Sequence, residues 1–307
     1  MNFKKRFQRF MSPIGDFMLT VESNAKRITQ NALKALLYEV SVTPKPGLVD
    51  PHSHGAHPDM TVFTFIDSSL SLEHYFYECA MMGLQFNGAN LPQLFQKIRP
   101  LGVQAEETMF SATKQVNTHK GAIFSLGVAV AAVGYLERTN HQINATVIRA
   151  TIQAMLIDLV KTDFKNLASK PQTMLTAGEH HFLKYGKSGI RGEAQAGFPV
   201  VFESALPFLL NQSSGSINER LLDTLMIIAQ ISEDSNLIKR AGDPAILTWL
   251  RTQTTHFFAL GGSQTVRGKK FLKQLDLVFT DKHLSLGGSA DLLILTIFLA
   301  LTLNNII

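Results

Sequence analysis

One long apolar segment of the chain reads "GAIFSLGVAVAAVGYLE", residues Gly121–Glu137. Its residues are apolar on every face of a helix, which is typical of a helix buried in the core of a large protein. Alanine and glycine recur along it, and their small side chains let neighbouring helices approach closely. The sequence therefore predicts a central buried helix surrounded by other helices.

Further segments on both sides place apolar residues at helical spacing, whereas the alternation typical of strands is nearly absent. Two helix starts carry capping signals: Ser216 with Glu219 three residues later, and Asp243 before Pro244. We expect an all-α fold, a single compact multi-helix domain whose polar inter-helix loops form one cleft. Residues 21–307 are predicted to form one all-helical catalytic domain, and residues 1–20 a frayed N-terminal segment.

Composition narrows the functional classes. The 307 residues are 45% hydrophobic, enough to bury a large core. The net charge is +5, but basic residues cluster only at "KKRFQR" and "VRGKK", so we do not expect a nucleic-acid partner. The single cysteine, Cys79, excludes an internal disulfide and favours a reducing compartment. Neither a secretory segment nor an apolar run long enough to span a membrane is recognised, so we expect a cytoplasmic protein without a membrane partner.

Five polar islands separate the apolar helices. They are "TPKPGLVDPHSHGAHPDM" (residues 43–60), "NTHKG" (117–121), "IRGEAQAGFP" (190–199), "SEDSNLIKRAGD" (232–243) and "LGGSADLL" (286–293). A helical bundle does not need such clusters in order to fold. We therefore expect the five islands to converge on one cleft.

The first island contains more chemistry than a turn requires. Proline and glycine account for its bends. They do not account for the side chains that can bind a cation, move a proton or hold a phosphate, which are Asp50, His52, His54, His57 and Asp59. Without an HExxH motif zinc is disfavoured, and the two aspartates suit oxygen-preferring Mg²⁺.

Two islands come directly before predicted helices, where free backbone N–H groups and the positive dipole end favour an anion. In "NTHKG" the side-chain donors are Asn117, Thr118, His119 and Lys120. In "LGGSADLL" the two glycines allow close backbone approach, Ser289 can cap the helix, and Asp291 lies in the first turn. Ordinary helix capping would also explain both patterns.

The two remaining islands combine carboxylates with arginine. In "SEDSNLIKRAGD", Asp234 and its polar neighbours suit Mg²⁺, and Arg240 suits bidentate contact with a phosphate. In "IRGEAQAGFP", Glu193 lies among glycines near Arg191. A surface charge cluster and a glycine-dictated turn are the alternatives.

The familiar nucleotide-binding signatures are missing. The segment "SQTVRGKK" has Ser263 where a P-loop has its first glycine, and no GxGxxG follows a strand. A bound triphosphate would therefore be held by helix ends, Arg or Lys side chains and a metal ion.

Taken in order, "TPKPGLVD", "GAHPDM", "NTHKGAIFSLG", "GEAQAGFPVVF", "DSNLIKRAG" and "GGSADLL" resemble the triphosphoribosyl-dephospho-CoA synthase family, from about Glu39 to Ala300. The chain departs from the family pattern at two places. It has Lys114 and Gln115 where two glycines usually precede the "VNTHKG" run, and "KRAG" at residues 239–242 where the family has "HRGG".

The resemblance implies transfer of the triphosphoribosyl group of ATP to the 2′-hydroxyl of 3′-dephospho-CoA, with release of adenine. It implies that the product passes to the acyl-carrier subunit transferase of citrate lyase, although the motifs leave the related malonate decarboxylase open. Breaking the N-glycosidic bond creates oxocarbenium character, which nearby carboxylates stabilise. The incoming hydroxyl needs a general base, and the triphosphate needs Mg²⁺ and cationic groups.

Within that reaction the islands supply candidates for each role. The residues expected on the triphosphate are Asn117, Thr118, His119, Lys120, Arg240 and Ser289. The residues expected around Mg²⁺ are Asp50, Asp59 and Asp234. The residues expected near the ribose, as base or oxocarbenium stabiliser, are Glu106, Glu193 and His57.

Two other functional classes use the same residues. A metal-dependent phosphohydrolase on a helical scaffold would activate water and release phosphate or pyrophosphate. A non-catalytic nucleotide-binding partner of a lyase complex would need the basic groups but not the carboxylates. The identity of the product separates the three hypotheses.

Overall fold

A computed structural model gives the architecture and describes residues 13–139, 142–165, 167, 170, 171, 173 and 175–303. No strand occurs among these residues, which confirms the predicted all-α fold. The helices are α1 (Pro13–Ser41), α2 (Val62–Ser71), α3 (Glu73–Gln85), α4 (Leu91–Ala112), α5 (Lys120–Arg138), α6 (Ala145–Met155), α7 (Leu159–Asp163), α8 (Ala177–Tyr185), α9 (Gly189–Gln195), α10 (Leu206–Asn211), α11 (Ile217–Ile231), α12 (Ser235–Ala241), α13 (Ile246–Ala259), α14 (Val266–Asp281) and α15 (Gly287–Thr302). A π-helix, Val200–Ala205, runs directly into α10.

The predicted central helix is α5, which packs on α1, α3, α4, α6 and α15. Nearly all of its residues between Ala122 and Leu136 are buried. By length and composition this helix could also cross a membrane, but 72% of its most apolar window is buried inside the fold. Its apolar surface is therefore covered by other helices.

Glycine sets the distance between α5 and α3. A Cβ atom on Gly83 would lie 2.2 Å from the carbonyl oxygen of Ala131, and one on Gly134 would lie 2.5 Å from that of Ala80. The two backbones are thus in direct contact, as the small residues of the sequence predicted. Any side chain at either glycine would force the helices apart.

The helix starts match the sequence in one case and differ in the other. Ser216 and Glu219 form the predicted capping box of α11. The next predicted start is displaced, because α13 begins at Ile246, and Asp243 Oδ1 instead accepts the N–H of Ala245 in a turn that precedes the helix. Of the segment predicted to fray, residues 1–12 lie outside the described residues, and residues 13–20 belong to α1.

Two buried helices begin side by side at one end of the fold. A Cβ atom on Gly121, in the first turn of α5, would lie 2.0 Å from the Asp291 carboxylate in the first turns of α15. The start of α12 joins them, because Asp234 accepts hydrogen bonds from the first residues of α15. The loop between α1 and α2 lies over this end, where Arg240 reaches its backbone.

Candidate active site

A cleft of about 520 Å³ opens where the loop between α1 and α2 meets the starts of α5, α12 and α15. Its volume is within the range of small-molecule sites, roughly 300–1,000 Å³. Four of the five polar islands contribute to its walls, and "IRGEAQAGFP" does not. The lining residues are Glu39, Lys45, Leu48, Val49, His57, Asp59, Met60, Phe65, Gln115, Val116, Asn117, Thr118, His119, Lys120, Gly121, Asn236, Lys239, Arg240, Ser285, Gly287, Ala290, Asp291 and Ile294.

The mouth of the cleft is cationic. Lys120, Lys239 and Arg240 line it and are exposed. Lys120 is the first residue of α5, and the other two lie in the last turn of α12. Arg and Lys side chains around a helix N-terminus form a favourable environment for a polyphosphate.

Arg240 connects two islands that are far apart in sequence. Its Nη1 donates to the carbonyl oxygens of Ala56 at 3.3 Å and His283 at 3.0 Å, and its Nη2 lies 3.1 Å from His57 Nδ1. Because a guanidinium only donates, His57 Nδ1 is the acceptor, and its Nε2–H donates to the Ser285 hydroxyl at 3.0 Å. Burial, and then the charge of Arg240, lower the pKa of His57 to about 4, so the ring is neutral at pH 7.

The turn before α5 contributes a chain of hydroxyl groups and a buried histidine. The Ser68 hydroxyl lies 2.7 Å from both Thr118 Oγ1 and His119 Nδ1. His119 Nε2 is buried and has no hydrogen-bond partner within the described residues. Burial, and then the charge of Lys45, lower the pKa of His119 to about 3. A buried polar atom left without a partner costs free energy, so the packing around this ring holds the nitrogen at an energetic cost.

Two other predicted residues lie at the same helix start. Asn117 Oδ1 accepts the backbone N–H of Lys120 at 3.3 Å. The Lys120 ammonium pairs at 2.6 Å with Glu106, which lies on α4 outside the cleft lining. Glu106 therefore acts on the cleft through Lys120.

The floor of the cleft is acidic. Glu39 is buried and pairs with Lys45, whose ammonium also donates to the Glu39 carbonyl oxygen at 2.7 Å. Asp291 lines the floor beside this pair, and no ion pair to it occurs within the described residues. Burial, and then the charges of Asp234 and Glu39, raise the pKa of Asp291 well above its usual value.

Asp234 connects two helix starts instead of facing the cleft. Its Oδ1 accepts from the N–H groups of Asn236, Leu237 and Gly288, and its Oδ2 from the N–H and hydroxyl of Ser289, all within 3.3 Å. The amides at the start of α15 are thus occupied by a carboxylate of the chain itself. A Cβ atom on Gly288 would lie 2.8 Å from Asp234 Oδ1, so this glycine makes room for that carboxylate.

The Asp50 carboxylate also accepts hydrogen bonds from the chain's own backbone. Its Oδ1 accepts the N–H groups of His52 and Ser53 at 2.8 and 2.9 Å, and its Oδ2 accepts that of Lys45 at 3.1 Å. This buried carboxylate shapes the loop between α1 and α2. Asp59, by contrast, is exposed and lines the cleft.

The predicted site residues thus divide into two sets. Those that line the cleft are His57, Asp59, Asn117, Thr118, His119, Lys120 and Arg240. Those that do not are Asp50, Glu106, Glu193, Asp234 and Ser289. Ser289 is fully buried against Asp234, which explains its place in the second set.

Glu193 lies in the island that does not reach the cleft. Its Oε1 accepts the N–H of Val200 at 2.9 Å, and its backbone carbonyl accepts that of Phe198 at 2.7 Å. Nearby, Arg191 Nε donates to Asp163 at 2.7 Å. The island organises the connection between α9 and the π-helix. The expectation that all five islands line one cleft is corrected accordingly.

The donor set of the cleft fits a magnesium ion that is held mostly by substrate and water. Three carboxylates line the cleft, and of these Glu39 is ion-paired with Lys45 and Asp291 lies on the floor, which leaves Asp59 at the mouth for a metal ion. No group of three or more metal-binding side chains lies together within the described residues. Mg²⁺ commonly uses one or two carboxylates together with substrate phosphates and waters.

The sequence patterns did not point to three residues that line the cleft: Glu39, Lys45 and Asp291. Lys45 and Asp291 lie inside recognised islands, but the pattern did not distinguish them from turn and capping residues. Glu39 lies at the end of α1, in an apolar periodic segment. These residues are recognisable only from their position in space around the start of α5. The spacing of residues along the sequence does not show that position.

Comparisons with known proteins identify the family of the chain. Residues 25–306 match the sequence model of the family described as CitG: ATP:dephospho-CoA triphosphoribosyl transferase. A probable 2-(5″-triphosphoribosyl)-3′-dephosphocoenzyme-A synthase of Lactiplantibacillus plantarum is 54% identical over 278 residues, 91% of this chain and 98% of that protein. Protein CitXG of Leuconostoc mesenteroides subsp. cremoris is 51% identical over 284 residues, 92% of this chain and 60% of that protein.

A more distant relative extends the agreement. A probable 2-(5″-triphosphoribosyl)-3′-dephosphocoenzyme-A synthase of Vibrio cholerae is 40% identical over 267 residues, 86% of this chain and 84% of that protein. No solved structure matches the chain. The resemblance found in the motifs is confirmed, and the chain belongs to the family of ATP:dephospho-CoA triphosphoribosyl transferases.

Proposed function

We propose that this enzyme transfers the triphosphoribosyl group of ATP to the 2′-hydroxyl of 3′-dephospho-CoA in the cleft, with release of adenine. The observation that carries the proposal is the separation of charge within one cavity. Lys120, Lys239 and Arg240 are exposed at the mouth, and Glu39 and Asp291 lie on the floor. This arrangement suits a substrate with a polyphosphate at one end and a sugar that becomes positive at the other.

The triphosphate is assigned to the mouth of the cleft. Lys120 and Arg240 supply charge-assisted hydrogen bonds, and Asn117 and Thr118 supply neutral donors beside the start of α5. His119 lies beside them in the cleft lining and stays assigned to the same group. Ser289 is not included, because it donates to Asp234.

Magnesium is assigned to the same end of the cleft. Asp59 is the one residue of the predicted metal set that lines the cleft, and it is exposed. When bound, Mg²⁺ neutralises and orients the triphosphate. Asp50 and Asp234 maintain the loop and the helix starts around it.

His57 is assigned to positioning within this site. Its two ring nitrogens contact Arg240 and Ser285, and its ring is neutral at pH 7. Its role is then to orient the guanidinium of Arg240 across the mouth. A cytoplasmic location, with the product passing to the acyl-carrier subunit transferase of citrate lyase, completes the proposal.

The decisive experiment is product identification. The purified protein is incubated with ATP, MgCl₂ and 3′-dephospho-CoA, and the products are analysed by mass spectrometry. We expect free adenine and triphosphoribosyl-dephospho-CoA in equal amounts, loss of both with EDTA, and recovery with excess Mg²⁺. Release of phosphate or pyrophosphate without adenine would favour a phosphohydrolase. Unchanged ATP would favour a nucleotide-binding partner protein.

A further inference from the structure

We propose that Asp291 is the general base of the transfer, and that its carboxylate takes the proton of the acceptor 2′-hydroxyl as that oxygen attacks the ribose. The inference rests on the proposed function and assigns the proton transfer to a residue on the floor of the cleft. It does not depend on any of the three residues that the sequence suggested near the ribose.

Position and pairing distinguish Asp291 from the other two cleft carboxylates. Glu39 is ion-paired with the Lys45 ammonium, and Asp59 is exposed at the mouth. Asp291 lies on the floor, and within the described residues no cation is paired with it. With the triphosphate at the mouth, the ribose extends toward the floor, where the reacting carbon meets this carboxylate.

The backbone of α5 fixes the Asp291 carboxylate in place. A Cβ atom on Gly121 would lie 2.0 Å from Asp291 Oδ2 and 2.9 Å from its Cγ, so the carboxylate occupies the space above a bare α-carbon. The backbone of Ala122, in the same turn of α5, lowers the pKa of Asp291 and so offsets part of the effect of its burial. A base held against a helix start in the lining of the cleft is pre-positioned for proton transfer.

The surrounding charges favour a stronger base than an ordinary aspartate. Asp291 is packed among α1, α5, α12 and α15, and the carboxylates that face it are Glu39 from α1 and Asp234 from the turn before α12. Their charges and burial raise the pKa of Asp291, and the Ala122 amide offsets part of this. His119, at the start of α5, is neutral. A carboxylate with a raised pKa is a stronger base than an ordinary aspartate, which suits a group that accepts a proton.

The step balances without any additional reactant. The C1′–N9 bond of ATP breaks and its electron pair leaves with adenine, while a bond forms between C1′ and the 2′-oxygen of dephospho-CoA. The hydroxyl proton passes to Asp291, which returns it to water, and adenine takes a proton from water. The triphosphate stays intact on the ribose.

The test compares Asp291→Asn with Asp223→Asn. Asparagine fills the same space beside Gly121, but it cannot take a proton. We expect kcat for adenine release to fall about 10²- to 10⁴-fold, the usual contribution of a general base, with the Kd for ATP within about threefold of wild type. In wild type, kcat falls as the pH decreases through the Asp291 pKa, and this acid limb is absent from the residual activity of Asp291→Asn.

Thermal unfolding separates this role from a structural one. A buried carboxyl with a raised pKa costs the wild type stability as pH rises above the pKa of the unfolded chain, about 3.9. Asp291→Asn removes that cost, so its Tm should equal or exceed that of wild type, with a difference that grows with pH up to the folded-state pKa of Asp291 and stays constant above it. Asp223 is the matched control, because it is a buried aspartate with a pKa raised by burial outside the cleft lining. Asp223→Asn should keep the wild-type rate.

Two results would overturn the inference. One is an Asp291→Asn protein that releases adenine within threefold of the wild-type rate. The other is a variant that loses activity only together with ATP binding and Tm, which is the behaviour of a structural residue. Failure of the proposed function looks different, because the wild type itself would then release no adenine, and the inference would fall with it.

Discussion

The cleft and the "IRGEAQAGFP" island carry similar residues and differ in what those residues contact. In the cleft, Arg240 reaches Ala56 and His57, about 180 residues away in sequence, from an exposed position. In the island, Arg191 pairs with Asp163, and Glu193 accepts from Val200. A polar motif becomes a candidate site where segments distant in sequence meet at a cavity. Some of their polar groups are then available to hydrogen-bond with a ligand. Where the groups of a polar motif hydrogen-bond to neighbours within the protein instead, the motif stabilises the fold.

The two arginines give the largest expected contrast. Arg240→Ala removes a charged contact with the triphosphate and should weaken ATP binding by about 1.5–3 kcal/mol, roughly 10- to 150-fold in Kd. Arg191→Ala should leave the Kd within twofold and lower stability by about 1 kcal/mol, because it removes one of two arginines paired with Asp163. Isothermal titration with ATP and Mg²⁺ measures the first effect, and urea unfolding measures the second.

The opposite effects of the two arginine variants on ATP affinity would contradict this assignment. Undiminished ATP affinity in Arg240→Ala would remove this residue from the triphosphate site. A large loss of affinity in Arg191→Ala would bring the island into the site.

The two regions also contain a matched pair of glycines. A Cβ atom on Gly121 would lie 2.0 Å from Asp291 Oδ2, and one on Gly192 would lie 1.9 Å from Ser188 Oγ. The serine hydroxyl can rotate away, whereas a shift of Asp291 would move the carboxylate that lies on the cleft floor. Gly121→Ala should therefore lower kcat for adenine release about tenfold or more by displacing Asp291, and Gly192→Ala should leave it within twofold.

Circular dichroism at equal protein concentration checks that both glycine variants are folded. An active Gly121→Ala protein would show that the carboxylate position is not critical. That result would weaken the assignment of Asp291 independently of its replacement by asparagine.

Glu193→Gln tests whether the carboxylate that the sequence placed near the ribose takes part in the reaction. Glutamine can still accept the Val200 N–H, and it relieves the cost of a charge whose pKa is raised by burial. We expect adenine release within threefold of wild type. A hundredfold loss, measured in a folded variant, would mean that this island faces the ribose during turnover.

The fold was more predictable than the site, for a physical reason. Helical periodicity and the small residues of α5 are local properties of the sequence, and they correctly indicated an all-α protein with a buried central helix. Convergence of side chains depends on how helices pack, so the sequence grouped Glu193 with Arg240 although they lie in different environments. The role of Asp234 was hidden for the same reason, because its partners Gly288 and Ser289 are more than fifty residues away.

The smallest expected effect concerns Lys114, a position where the motif resemblance implies a glycine. Lys114 follows the C-cap of α4 with φ +55°, in the left-handed region where helices commonly end on glycine. A residue with a Cβ atom in this conformation destabilises the folded state by about 1–2 kcal/mol. Glycine removes this strain, but it also raises the conformational entropy of the unfolded chain, which cancels part of the gain in stability. Lys114→Gly should therefore raise the free energy of unfolding by about 0.5–1 kcal/mol in urea. Lys114→Ala removes the same side chain but keeps a Cβ atom, so an equal gain in that variant would show that backbone strain is not the cause. Lys114 lies outside the cleft lining, so activity should be unchanged in both variants.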